Sequence, residues 1–162
     1  MNLPACAFIC SLLVFGAAPA HAAGGHAEEQ LKRIEVTPKK PDHSGRKRVG
    51  KASFYAKSFA GKKMADGSPM DPQDDNAASR TLPLGTTAKV TNLETGKSAV
   101  VTIQDRGPYI EGRIVDLSPS TAKEIGLTPK EGVADVTVEP IAVPMPDGSI
   151  KAGVAATAKS AD

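Results

Sequence analysis

The sequence predicts a mainly β fold whose middle closes into a small barrel, flanked by segments with no core of their own. Three observations carry this. Between residues 49 and 141 the apolar runs are short, rich in Val, Ile and Thr, and alternate with polar residues. Turns containing Gly or Pro separate those runs. One stretch carries both a clear helix start and a clear helix stop.

The elements follow in order. Lys51 to Tyr55 is the first strand, and Asp74 to Ser79 is read as a short helical turn. Thr86 to Asn92 alternates, with Ala88 and Val90 on one face and Thr87, Lys89 and Thr91 on the other. Leu93-Glu94-Thr95-Gly96 turns the chain, and Ser98 to Ile103 resumes it with Ala99, Val101 and Ile103 aligned, which is a hairpin signal. Arg113 to Leu117 and Val133 to Glu139 are further strands, the second with Val136 and Val138 inward. The helix has Ser118 as N-cap, Pro119 at the first helical position and Gly126 as its stop. Five or six strands over roughly 90 residues suit a small closed barrel.

The flanks read differently. Leu3 to Ala20 is almost wholly apolar or small and runs into Ala20-His21-Ala22-Ala23, the pattern of a secretory signal peptide over residues 1–22 with cleavage after Ala22. The run is shorter than the roughly 20 residues a membrane span needs, so no transmembrane segment is expected after cleavage. Leu3-Pro4-Ala5-Cys6 stands too near the start to be a lipoprotein cleavage box, and a soluble mature chain is expected. Residues 23–48 hold seven Lys or Arg against four Asp or Glu, and read as a basic linker that could touch anionic polymers. Residues 49–141 hold eleven basic against twelve acidic residues, so the net positive charge belongs to the flank. Residues 142–162 mix Pro, Gly, Ala and Lys and read as a disordered tail.

Composition removes several kinds of chemistry. Cys6 and Cys10 lie in the first ten residues, and His21, His26 and His43 all precede the β region. From Val49 to Ile141 there is neither Cys nor His, which excludes thiolate or imidazole metal sites and Cys–His nucleophiles there. Four Phe, two Tyr and no Trp provide no aromatic platform for nucleic acid. Any catalysis must rest on Asp, Glu, Ser, Thr, Tyr or Lys.

A set of motifs runs through the same region: Gly50-Lys51-Ala52-Ser53-Phe54-Tyr55, Phe59-Ala60-Gly61-Lys62-Lys63-Met64-Ala65-Asp66-Gly67, Ala77-Ala78-Ser79-Arg80-Thr81-Leu82-Pro83-Leu84-Gly85-Thr86 and Val90-Thr91-Asn92-Leu93. Asp105-Arg106-Gly107-Pro108-Tyr109 and Gly112-Arg113-Ile114-Val115-Asp116-Leu117-Ser118 complete it. In that order they resemble the rare lipoprotein A family of bacterial cell-wall proteins, distant relatives of expansins and barwin-like domains. The resemblance covers residues 49–141, and no counterpart of the family's usual carboxy-terminal peptidoglycan-binding repeat domain is expected in 142–162. It implies a six-stranded double-psi β-barrel. It also implies a periplasmic endolytic lytic transglycosylase, with no cofactor or metal. Its substrate would be peptidoglycan glycan strands, preferably stripped of stem peptides, cut between N-acetylmuramic acid and N-acetylglucosamine to leave 1,6-anhydro ends. Division-site proteins are candidate partners.

Such a reaction needs a proton for the departing glycosidic oxygen and a base for the C6 hydroxyl. With the resemblance, Asp105 is the catalytic candidate: it follows the apolar strand ending in Ile103, and Gly107-Pro108 turns the chain so that a strand-end carboxylate meets a groove. To act as acid it would need a pKa above the usual Asp range. The sequence departs from the family at two positions of its active-site set, with Ser68 where the family has Glu and Ser79 where it has His. Both serines are read as sugar-binding. Tyr55 and Phe54 are candidates to stack on sugar rings, Tyr109 to form the groove wall, and Arg80 and Arg113 to hold a lactyl carboxylate or orient Asp105. Asp116 is read as structural. A second class stays open, a non-catalytic module of the same fold that binds bare glycan or a division-site partner.

Overall fold

A computed structural model describes residues 40–158. The predicted signal peptide and most of the predicted basic linker lie outside the described residues. Among the described residues seven strands occur: β1 (Arg48–Phe54), β2 (Asn76–Ala78), β3 (Thr87–Asn92), β4 (Ser98–Asp105), β5 (Arg113–Leu117), β6 (Ala134–Pro144) and β7 (Ile150–Ala152). Two short helices are α1 (Pro119–Glu124) and α2 (Val154–Ala158), and Lys57–Phe59 forms one 3₁₀ turn.

Six strands close a barrel in the order β1-β5-β2-β4-β3-β6, with β6 returning to β1. Two of its pairings are parallel, β1 with β5 and β2 with β4, and the rest are antiparallel. Parallel neighbours cannot be joined by a hairpin, so the connections after β1 and β2 must cross over. This is the double-psi arrangement. Closure leaves the six strands without an open edge. The inward alternation predicted for β3, β4 and β6 holds: Ala88, Val90, Ala99, Val101, Ile103, Val136 and Val138 are buried. Ala52, Val115 and Leu117 join them, and Leu82, Ile125 and Leu127 belong to the same core. Each such Val, Leu or Ile contributes about 1.5–3 kcal/mol on leaving water.

The helix predicted after β5 is α1. The Ser118 hydroxyl accepts from the Thr121 N–H, Pro119 stands at its start, and Gly126 follows with φ +79°. The helical turn read over Asp74 to Ser79 is corrected. Asn76–Ala78 is instead β2, wedged between β4 and β5. Three residues hold too little pattern to show a period, and pairing with two long strands outweighs their helical tendency.

The disordered tail expected at 142–162 is corrected over its described part. β6 continues to Pro144, β7 pairs with it antiparallel, and α2 follows. Gly153 explains why a sequence so poor in large apolar residues still docks: a Cβ there would lie 2.1 Å from the Pro140 carbonyl oxygen, so only glycine admits the approach. The start of the barrel moves too. Asp42 N–H donates to Thr81 O at 2.7 Å, Gly45 is buried, and Val154 N–H donates to Gly45 O at 3.0 Å. The Arg48 guanidinium donates to Asp42 at 2.6 Å and to the Thr81 hydroxyl.

Gly153→Ala is expected to destabilise the domain by about 1–3 kcal/mol through overpacking, read as a Tm lower by several degrees; an unchanged Tm would mean that the β7–α2 segment does not pack on β6. A second test is pH. The Ser44 hydroxyl foremost, then the Ser44 N–H, outweigh burial and with Arg48 hold the Asp42 carboxyl at about 2 instead of 3.8. Because the folded value is the lower one, the stabilisation is present above about pH 4 and disappears as the pH falls towards 2. The half-exposed site limits it to about 1 kcal/mol. Asp42→Asn should therefore be less stable than the parent at pH 7 and equal to it near pH 2 in denaturant titrations.

Candidate functional site

The last residue of β4 is Asp105, and its half-buried carboxylate is where three segments meet. Oδ1 accepts from the Arg106 N–H at 2.8 Å and from the Ala65 N–H at 3.0 Å. Oδ2 accepts from the Tyr55 hydroxyl at 3.1 Å. The two amides occupy Oδ1. Among the described residues Oδ2 has the Tyr55 hydroxyl as its one donor, and a lone pair stays open on it.

Tyr55 follows β1, is only 8% exposed and packs with Met64, Met70 and Ala78 in a small second core. Burial first, then the charge of Asp105 and its hydrogen bond, push the Tyr55 phenol well above its ordinary value. It remains a neutral donor throughout the physiological range. That second core lies under the excursion from Ala56 to Asp75. Within it Met70 N–H donates to Lys62 O and Met64 N–H to Ser68 O, both at 2.8 Å, which folds residues 62–70 back on themselves. The tip is fastened to β4 by Asp66 N–H donating to Gln104 O at 3.0 Å, beside the Ala65 contact.

On the other side of Asp105 the chain turns through Gly107, whose φ of +131° favours glycine, and a cis Gly107–Pro108 bond. It then presents Tyr109, 52% exposed. The Arg106 side chain is spent within the fold, donating to the carbonyls of Leu82 at 2.6 Å and Ser79 at 3.1 Å.

The predicted residues divide. Asp105 and Tyr55 come together, and Tyr109 stands exposed on the turn that follows Gly107–Pro108. Ser68 lies on the excursion, and its hydroxyl donates to Asp66 at 2.6 Å. Burial, the largest influence on Asp66, raises its pKa, yet the Ser68 hydroxyl and N–H and the Gln104 side chain together hold it below the ordinary value. Ser79 is enclosed, 1% exposed, and its hydroxyl accepts from the Leu82 N–H at 3.3 Å while its own N–H donates to Asp105 O at 3.1 Å. Arg113 pairs with Asp116, which also accepts from the Ser53 hydroxyl, in keeping with the structural reading of Asp116. Arg80 is half-buried beside Ser79, with no ion pair among the described residues. Two residues were missed by the sequence reading. Phe59, 44% exposed, tilts onto Tyr55 with ring centroids 5.7 Å apart, and Lys62 Nζ stands 4.9 Å from the Phe59 ring centre. Their only sequence signal was nearness to the first Gly-rich turn. Among the described residues no three His, Cys, Asp or Glu side chains come together as a metal set.

A closed double-psi barrel with a strand-end carboxylate held at its rim defines the class of protein. Residues 47–138 match the family described as lytic transglycolase, and the chain belongs to that family. It is 40% identical over 130 residues to the endolytic peptidoglycan transglycosylase RlpA of Vibrio cholerae, covering 78% of this chain and 47% of that protein. It is 48% identical over 96 residues to the protein of the same name from Pasteurella multocida, covering 59% of this chain and 32% of that one. The chain thus spans less than half the length of these curated relatives. Among solved structures it is similar to Streptomyces papain inhibitor, with TM-score 0.46 and 24% identity over 57% of this chain and 92% of that one.

Tyr55→Phe removes the only donor to Oδ2 among the described residues and should cost about 1 kcal/mol of stability. The barrel should persist, as judged by an unchanged far-ultraviolet circular dichroism spectrum beside the lower Tm; a Tm equal to the parent's would mean that the hydroxyl does not hold Asp105.

Proposed function

We propose that this protein is a lytic transglycosylase that cleaves peptidoglycan glycan strands with Asp105 as the reacting carboxylate. The observation that carries the reading is the Asp105 carboxylate itself: half-buried, fixed by Tyr55, Ala65 and Arg106, with Oδ2 still able to exchange a proton. The names of its relatives support the substrate class. In the proposed reaction the Asp105 carboxylic acid gives its proton to the glycosidic oxygen as the bond from C1 of N-acetylmuramic acid breaks. The C6 hydroxyl oxygen of the same sugar bonds to C1, and its proton passes to the Asp105 carboxylate. No water is consumed, the product is a 1,6-anhydro end, and Asp105 is returned to its starting state. Tyr55, protonated throughout, orients Oδ2 during both transfers. Tyr109, half exposed on the turn after Asp105, offers an apolar face to a sugar ring.

The apolar run at Leu3 to Ala20 and the Ala20-His21-Ala22 signal support secretion to the periplasm, where this substrate lies, and division-site proteins are the proposed partners. No helix among the described residues is long and apolar enough to cross a membrane. One observation favours a second reading, a non-catalytic glycan-binding module: the Ser68 and Ser79 hydroxyls, at the two positions where the family pattern has Glu and His, are engaged within the fold.

Incubation with peptide-free glycan strands and mass spectrometry of the products separates the two. The transglycosylase reading expects 1,6-anhydro ends, and a rate on the order of 10²–10⁴-fold lower in Asp105→Asn. Binding without anhydro products would leave the binding-module reading in place, and an Asp105→Asn variant that forms them as fast as the parent would mean that Asp105 is not the reacting carboxylate.

A further inference from the structure

We infer that a hollow beside the end of β1 binds a medium-chain aliphatic carboxylate, its alkyl chain inside and its head group paired with Lys123. The hollow measures about 380 Å³ and lies between Phe54, α1 and the segment that follows α1, with Pro119, Ala122, Lys123, Leu127 and Pro129 in its lining. It is separate from the Asp105 site. Phe54 packs against the main core of the barrel, whereas its neighbour Tyr55 belongs to the second core under the excursion. Consecutive residues of an extended chain thus serve opposite faces. None of the donors to Asp105 lines the hollow.

The lining suits an alkyl chain and not a sugar. The side chains of Phe54, Ala122 and Leu127 present only carbon, and the two prolines bring no backbone N–H. Thr128, which also lines the hollow, has both its hydroxyl and its N–H donating to Glu131, each at 2.9 Å. A polyol placed here would lose water and find few partners in exchange. The volume stands at the lower end of the roughly 300–1,000 Å³ typical of small-molecule sites, which suits a single chain of carbon atoms. Ala122 and Leu127 are each only 2% exposed, so they line its inner part, while Lys123, Thr128 and Pro129 are exposed and stand where it opens to solvent.

Lys123 sets the head group. It is the one charged residue in the lining, and it forms no ion pair among the described residues. The neighbouring acids are turned elsewhere. Glu131 is engaged by Thr128 and by the charge of Lys130, and Glu124 lines an adjoining hollow with Gln73 and Ser120. An ammonium at the mouth of an apolar hollow is complementary to an anion at the end of an alkyl chain. The chain leaves water, and the carboxylate meets the cation while both stay hydrated.

The test is titration of the full chain with octanoate, hexanoate and octanol, each below its micellar concentration, followed by amide NMR shifts. Octanoate should shift Lys123, Leu127 and Thr128 to saturation. It should bind about tenfold more tightly than hexanoate, which has two fewer methylenes to bury. Its advantage over uncharged octanol should be about two- to fivefold and shrink as salt is added. Lys123→Gln should lower octanoate to the level of octanol and leave octanol unchanged, with Tm measured in parallel to show that the variant is folded. Hexanoate binding as tightly as octanoate, or an octanoate advantage that survives Lys123→Gln, would overturn the assignment. So would the absence of any shift, or shifts confined to Ala65, Arg106 and Tyr109 around Asp105.

Discussion

Three hydrogen bonds converge on the Asp105 carboxylate, and the site is organised around them. One comes from the residue after β1, one from the tip of the 56–75 excursion, and one from the turn that leaves β4. The excursion has only a small apolar cluster beneath it, Tyr55, Met64, Met70 and Ala78, and most of its surface is in water. A carboxylate accepting two amides and a phenol supplies the missing fixation, because bonds to an ionised acceptor are stronger than neutral ones. The same group is the one proposed for proton transfer. Structure and chemistry therefore make competing demands on Asp105, reconciled by giving Oδ1 to the amides and Oδ2 to the exchangeable partner.

The barrel makes this economical. Ala78 of β2 stands in register with Asp105 on β4 and with Asp116 on β5. Paired residues in a sheet point to the same face, so a three-residue strand with small side chains leaves room for two carboxylates. The second is neutralised by Arg113 and bonded by Ser53. Asp105 is left with uncharged donors. The sequence alone ranks these two aspartates by motif, whereas their surroundings explain the difference in what each can do.

Much of the fold was legible because its strands face one way into a single core. Val90, Val101, Ile103, Val136 and Val138 alternate with polar residues, and Ser118 with Pro119 marks the helix start. β2 escaped because its fold is imposed by two neighbours and not by its own pattern. The segment after Ile141 escaped for a related reason. Its order comes from backbone pairing of Ala142 to Pro144 with Ile150 to Ala152 and from the close seat of Gly153 on Pro140, neither of which has a hydrophobic signature. At the site, Asp105 was visible as the head of a motif. The burial of Ser79 was not, since a serine after two alanines reads equally as groove or as interior. Nor was the Phe59–Lys62 rim, which exists only because the excursion folds back at Met70.

The central claim, that the Asp105 carboxylate fastens the excursion to the end of β4, is most directly tested by amide hydrogen exchange. Asp105→Ala removes the acceptor of the Ala65 and Arg106 amides and of the Tyr55 hydroxyl. The account predicts faster exchange at Ala65, Asp66, Met64 and Met70 in that variant, with protection in β1, β3, β4 and β6 kept near the parent's level. Unchanged protection at Ala65 and Asp66 would contradict it, since the excursion would then be held by something other than Asp105.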